Sequence, residues 1–366
     1  MKRDKKIAEQ KANFFSQQKV VSIIMPVVAV LVGLIAGAIF MLIIGSNPLK
    51  AYSVLWNSAF GSFNGFAETI VNTTPLIFTG LAVAFAFRTG LFNIGGDGQF
   101  LIAYVFTAWI GYAFSLPMIL HVPLALLGGI IFGGFWAGIA GYLKAKLGVH
   151  EVITTIMLNY IALYLSGYLI GGPFKKPGPL PATPHIHESA KLLKIIPGSR
   201  ASLGFILALV AAGLVYYILW KTSLGYEVRA VGLSPEASEY GGIYVSKKMV
   251  LAMFISGALA GLAGSAQVMG LEFRAYQPFG FIGHGFTGIA VALLGKNHPA
   301  GVVLGAFLFG ILSRGAMQMQ SLAGVPKEVV EIIQAIIIIF VASEYAIKII
   351  ARKMQEKDGE VANANR

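Results

Sequence analysis

Twelve residues between two apolar runs, Arg88-Thr-Gly-Leu-Phe-Asn-Ile-Gly-Gly-Asp-Gly-Gln99, hold the side chains of this sequence most able to do chemistry: Asn93, Asp97 and Gln99. Two amides and a carboxylate can hydrogen-bond a polar solute, but they supply neither an activated nucleophile nor a soft metal ligand. Four glycines in the same stretch interrupt a helix. At membrane depth the freed backbone groups must face a cavity or other protein, and the three side chains then offer polar contacts in an otherwise apolar path. At the surface the same residues make a turn, with Asp97 and Arg88 solvated or paired. A nucleotide-binding glycine loop is the weakest reading, because no strand precedes the segment and no Lys-Ser/Thr follows it.

A second constellation is Ser234-Pro-Glu-Ala-Ser-Glu-Tyr-Gly-Gly242. It predicts a miniature helix with Ser234 as N-cap, Pro235 at the first helical position, Glu236 against the positive dipole end, and Gly241 or Gly242 closing it in a left-handed conformation. Seven residues do not persist as a helix alone. The membrane surface, the rest of the chain or a partner's groove must hold it. His185, His187 and Glu188 look like a fragment of a metal site, but such groups in a flexible loop are far more commonly solvated surface, and no metal is assigned. Glu272, Arg274 and Arg314 fall at the ends of apolar runs, where ionisable groups usually anchor to the interface. No Walker sequence, nucleophile elbow, zinc-protease helix or close carboxylate pair occurs. The chain is therefore expected to be no enzyme, to have no catalytic residues, and to need a separate ATPase for any ATP-driven step.

The elements around these segments must be membrane helices. Of the residues 56% are hydrophobic and 12% charged, mean hydropathy is +0.74, and a soluble domain carries roughly a quarter charged residues. Apolar runs fall near 21–44, 68–87, 99–115, 123–143, 152–170, 202–220, 249–270, 281–295, 299–317 and 328–350. They predict an all-α polytopic fold of about ten spans, the eighth short enough to be broken or re-entrant. The first run exceeds a signal-peptide core and reads as a retained helix. The organisation is then a basic tail at 1–20, a membrane domain at 21–350 with an outer loop at 171–200 and a cytoplasmic loop at 221–248, and a tail at 351–366.

With both termini inside, 19 of the 28 Lys and Arg lie on the cytoplasmic side, the bias that orients inner-membrane proteins. The net charge of +12 is thus topological rather than a nucleic-acid footprint. The absence of cysteine excludes disulfides and thiolate sites. The proline-rich outer loop is expected to be extended, as a partner surface or a plain connector. Gly-x-x-x-Gly spacings at 33/37, 129/133, 134/138, 257/261 and 301/305 read as packing seams. Phe-Thr-Gly-Leu-Ala-Val-Ala at 78–84 returns as Phe-Thr-Gly-Ile-Ala-Val-Ala at 286–292, which hints at duplicated halves. Few charges lie in the core, which argues against an ion channel or proton-coupled carrier and favours a neutral polar solute.

Several segments together carry a family resemblance: Thr-Pro-Leu-Ile-Phe-Thr-Gly-Leu-Ala-Val-Ala-Phe at 74–85, Gly-Leu-Phe-Asn-Ile-Gly-Gly-Asp-Gly-Gln at 90–99, Glu-Val-Ile-Thr-Thr-Ile-Met-Leu-Asn-Tyr at 151–160, Arg-Ala-Val-Gly at 229–232 with the mini-helix after it, and Gly-Ile-Ala-Val-Ala-Leu-Leu-Gly at 288–295. The chain resembles permease subunits of bacterial ABC importers of the branched-chain amino acid, ribose and nucleoside group, most closely the general nucleoside permeases. Asp97 stands where that group commonly has Glu. The resemblance implies a type II-like importer fold in the bacterial cytoplasmic membrane, paired with a second related permease. It implies an external binding lipoprotein that delivers the solute and a separate ATPase that binds ATP and Mg, with no cofactor in this chain. The ATPase would dock on Ser234, Pro235, Glu236, Ala237, Ser238 and Gly241, while Asn93, Asp97 and Gln99 would line or support the translocation path. Nucleosides are the implied solute, with ribose-like sugars as the alternative; a secondary carrier needing no ATPase is the competing class.

Overall fold

The computed structural model describes residues 25–343, all of whose regular elements are helical apart from isolated bridges. In chain order they are α1 (Met25–Ile43), α2 (Pro48–Phe60), α3 (Phe63–Arg88), α4 (Gly96–Ala113), α5 (Met118–Leu147), α6 (Glu151–Gly171), α7 (Gly204–Lys221), α8 (Ser223–Leu233), α9 (Pro235–Tyr240), α10 (Val245–Gln267), α11 (His284–Leu294), α12 (Pro299–Ala323) and α13 (328–343). The expected tails at 1–20 and 351–366 lie outside the described residues. Each of the ten apolar runs coincides with a helix, but among the described residues seven helices are long and apolar enough to cross a membrane. Of the other three, α4 carries Asp97 and Gln99 within its 18 residues, α11 has only eleven residues after a glycine-flanked lead-in, and α13 is described only as far as residue 343.

Among the described residues, 25–54 with 316–343 form one compact unit and 55–315 a second. In the first, Gly33 and Gly37 of α1 let Ile337 and Ile333 of α13 close onto its backbone, and the Tyr52 hydroxyl donates to the Leu34 carbonyl. The second holds the candidate site. Its frame is a glycine seam in which Gly129 and Gly133 of α5 lie against Gly261 and Gly257 of α10, so near that an added Cβ would strike the opposite backbone. Such close approach replaces the hydrophobic drive that lipid does not supply. The repeated heptapeptides also meet, with Gly80 of α3 facing Val291 of α11 and Gly288 facing Thr79.

Within this unit, charged groups expected on opposite sides gather at opposite ends of α3. At one end Glu68 pairs with Arg200. At the other Arg88 donates to the carbonyls of Asn297 (3.0 Å) and Lys296 (3.3 Å). The turn from α5 to α6 closes through left-handed Gly148 (φ 68°), which brings Lys144 within 2.9 Å of Glu151. The proline-rich segment 172–203 has no regular element beyond a short 3-10 turn at Glu188–Ala190, but it is paired. Thr183 and Ile186 donate to the Ala275 and Phe273 carbonyls, and Leu192 to that of Met269, each at 2.9 Å. Its His185 and His187 are exposed. Ser189 hydrogen-bonds the buried His121 at 2.8 Å.

Candidate functional site

Helix α6 supplies a ruler for depth. Its 21 residues span about 32 Å, close to the roughly 30 Å hydrocarbon thickness, so Asn159, its ninth residue, lies near mid-depth. Asn159 Oδ1 accepts from the Gly98 amide at 2.8 Å, and its Nδ2 donates to the Ile94 carbonyl at 3.0 Å. The glycine-rich break is therefore inside the protein at the level where α6 is half traversed. The surface-turn alternative does not describe it: Asn93, Asp97 and Gln99 are each 1% exposed.

The amides there are fully occupied. Asn93 Nδ2 donates to Gln99 Oε1 (3.0 Å) and Ser256 Oγ (2.8 Å), while its Oδ1 accepts from Gly95 N and Gln99 Nε2, both at 2.9 Å. Ser256 in turn donates to the Ala82 carbonyl at 2.6 Å. One network thus ties the break to α3, α6 and α10, and a satisfied buried network of this kind rigidifies what it joins.

Asp97 reaches elsewhere. Its Oδ1 accepts from the Gly283 amide and its Oδ2 from the Phe286 amide, each at 3.0 Å. Gly283 is the N-cap of α11, with φ 87°, so the carboxylate of one helix caps the start of another. Asp97 also lies in the first turn of α4. The positive ends of two helix dipoles therefore converge on one carboxyl group. Gly96 and Gly285 make the approach possible, because a Cβ on either would meet the other's backbone.

At the cytoplasmic end by the charge count, α9 forms as its caps require. Ser234 Oγ accepts from Ala237 N at 3.2 Å, Pro235 occupies the first position, and Gly242 takes the left-handed conformation at φ 83°. Ser238 is buried and donates to the Ser234 carbonyl at 2.8 Å. Ala237 and Gly241 are exposed and line a groove of about 480 Å³ together with Tyr226, Leu233 and Ile243. Gly232, just before α9, packs on the Arg88 carbonyl and Gly90. Arg88 itself lies over Trp220, 5.1 Å from the ring, and holds the turn after α11, where Lys296 and Asn297 adopt left-handed φ of 53° and 52°. The mini-helix is thus joined through α3 to the C-terminal end of the short α11.

The sequence reading placed Asn93, Asp97 and Gln99 together, and the structure brings them to one level. It missed Asn159, Ser256 and the 283–286 backbone that they hold. A lone Asn inside an apolar run was the visible signal for Asn159. Glu272 and Arg274 were noted only as span ends; Glu272 bonds the Tyr104 hydroxyl and accepts from Gln267 at 2.7 Å. Among the described residues no group of three or more His, Cys, Asp or Glu could hold a metal.

Comparison with known proteins fits this architecture. The family described as branched-chain amino acid transport system / permease component matches residues 65–342. A guanosine ABC transporter permease protein of Bacillus subtilis is 48% identical over 340 residues, covering 92% of this chain and 97% of its own. A nucleoside ABC transporter permease protein of Lactococcus lactis subsp. cremoris is 39% identical over 90% of this chain and 93% of its own. A glucose ABC transporter permease protein of Haloferax volcanii is 35% identical, with 87% of each covered. The chain is a multi-pass membrane transport subunit and not an enzyme, and it belongs to the branched-chain amino acid transport system / permease component family.

Proposed function

We propose that this chain is the permease subunit of an ATP-driven importer that carries nucleosides across the bacterial cytoplasmic membrane by alternating access. The observation that carries the solute assignment is near full-length likeness to two permeases named for guanosine and for nucleosides. A sugar is the second reading, favoured by the relative named for glucose. In the proposed assembly a second related permease completes the path, an external lipoprotein delivers the solute, and an ATPase chain holds ATP and Mg and docks on α9. Asn93, Asp97 and Gln99 act as the rigid support of the path, with Asp97 fixing where α11 starts. The test is uptake of tritiated guanosine, ribose and glucose by cells that express the complete importer and lack other uptake systems for these solutes. Guanosine accumulation abolished by vanadate is expected. Vanadate-resistant uptake would instead indicate a secondary carrier, and uptake of a sugar alone would reassign the solute.

Both termini are placed in the cytoplasm and residues 171–200 outside. With no native cysteine, single replacements report side directly. Glu188→Cys is expected to react with an impermeant maleimide in intact cells, and Glu236→Cys only after the membrane is opened. The reverse pattern would invert the topology.

A further inference from the structure

Tyr160, Tyr164 and Tyr168 recur every four residues along α6 and so share one face, 47%, 72% and 69% exposed. Tyr168 is near the outer end of the helix, where tyrosine ordinarily anchors to the membrane interface. Tyr160 is not: it is the tenth of 21 residues, adjacent to the Asn159 that marks mid-depth. Its hydroxyl has no hydrogen-bond partner among the described residues. Turned to lipid, that hydroxyl would be left dry, which membrane proteins avoid. This face must therefore meet water, a polar ligand or protein.

The ring of Tyr160 packs edge to face with Phe281, centroids 5.3 Å apart at 76°, and Phe281 does the same with Phe286, at 6.0 Å and 79°. Behind them His284 lies edge-on to the buried Phe100 at 5.6 Å. Phe281, His284 and Phe286 all belong to the lead-in and first turn of α11 that Asp97 fixes. The rings of Tyr160, Phe281 and Phe286, each nearly perpendicular to the next, thus form an aromatic shelf at half depth, with the Tyr164 phenol one turn further along α6.

We propose that this shelf is a stacking station for the base of a nucleoside in transit. Flat aromatic faces accept any heteroaromatic plane regardless of its hydrogen-bonding pattern, as in proteins that bind single-stranded nucleic acids without sequence preference. The rim hydroxyls of Tyr160 and Tyr164 offer both donor and acceptor to base edge or ribose. The inference rests on the nucleoside reading and adds to it the residues that would recognise the base.

The experiment uses the complete importer with Tyr160→Ala, Phe281→Ala and Tyr160→Phe, and tritiated guanosine as probe. Each alanine variant is expected to co-purify with its partner subunits and to lower maximal uptake by roughly tenfold, the loss of one stacking face. Tyr160→Phe, which keeps the ring, should recover most of it. In the parental importer, photolabelling with 8-azidoadenosine should modify peptides containing 151–171 or 273–290. Loss of the sister permease from either alanine variant would make the face a subunit seam and overturn the proposal, as would unchanged uptake in both. An unsubstituted importer that carries ribose but no nucleoside would refute the nucleoside reading in its own lane, and the shelf with it.

Discussion

Replacing Asp97 with alanine is expected to lower uptake at least tenfold and to reduce the melting temperature of the purified complex by several degrees. The carboxylate accepts from the Gly283 and Phe286 amides, and both part-buried donors would lose that partner. Each buried unsatisfied donor costs about 1–3 kcal/mol, and loss of an N-cap typically costs about 1 kcal/mol. The cost falls on the start of α11, whose eleven residues make few hydrogen bonds of their own, so the damage is local displacement before global unfolding. Asp97→Asn keeps one acceptor and should lie between the parent and the alanine variant. Gln99→Ala removes two bonds to Asn93 but leaves Ser256 and Gly95 in place, so its effect should be smaller than that of Asp97→Ala. Uptake assays beside thermal melts decide the matter. Wild-type uptake by Asp97→Ala would show that the carboxylate does not set the working position of α11.

The second large effect is expected at α9. Ala237→Arg and Gly241→Arg should each insert in the membrane, pair with the sister permease, and lose both ATPase association and uptake. The structure makes this a clean test of docking. Both positions are exposed on the groove, Gly241 has φ −76°, and a Cβ there would meet its nearest atoms at 3.4 Å and 3.5 Å, which is ordinary contact. Neither arginine therefore disturbs the mini-helix itself, whereas a partner filling the groove would face a bulky charge with no counter-ion. Pull-down of the ATPase with each variant is the measurement. Full recovery of the ATPase with normal transport would sink the coupling assignment.

What was legible in the sequence was local. The caps of α9 are contained within nine residues, so Ser234, Pro235 and Gly242 could be read without any tertiary information, and the structure shows all three in those roles. Glycine spacing likewise marked the packing seams, although it could not say that 129/133 would meet 257/261, because a small residue on a helix face does not name its partner. The break at 90–98 was visible as glycine. Its depth was not, since that depends on Asn159 some 61 residues on, and Asp97's hold on α11 joins positions 186 apart. The same distance effect hid the pairing of the proline-rich segment 172–203 with residues 269–277: prolines announce a non-helical stretch, and only the fold supplies the edge to pair with.

The brevity of α11 also bears on how the protein is made. Eleven residues reach about 16 Å, half of what a helix needs to cross the bilayer unaided, so this segment has too little apolar length to partition into lipid as it leaves the ribosome. Its place exists only after α3 and α4 are already in the membrane and the Asp97 carboxylate is there to receive its first amides. Membrane integration must then finish with a folding step, in which the last piece of the interior enters through protein rather than through lipid. A Gly288→Leu change, which blocks the seat against Thr79, should leave a cysteine at Phe286 reactive from outside while the longer helices insert normally.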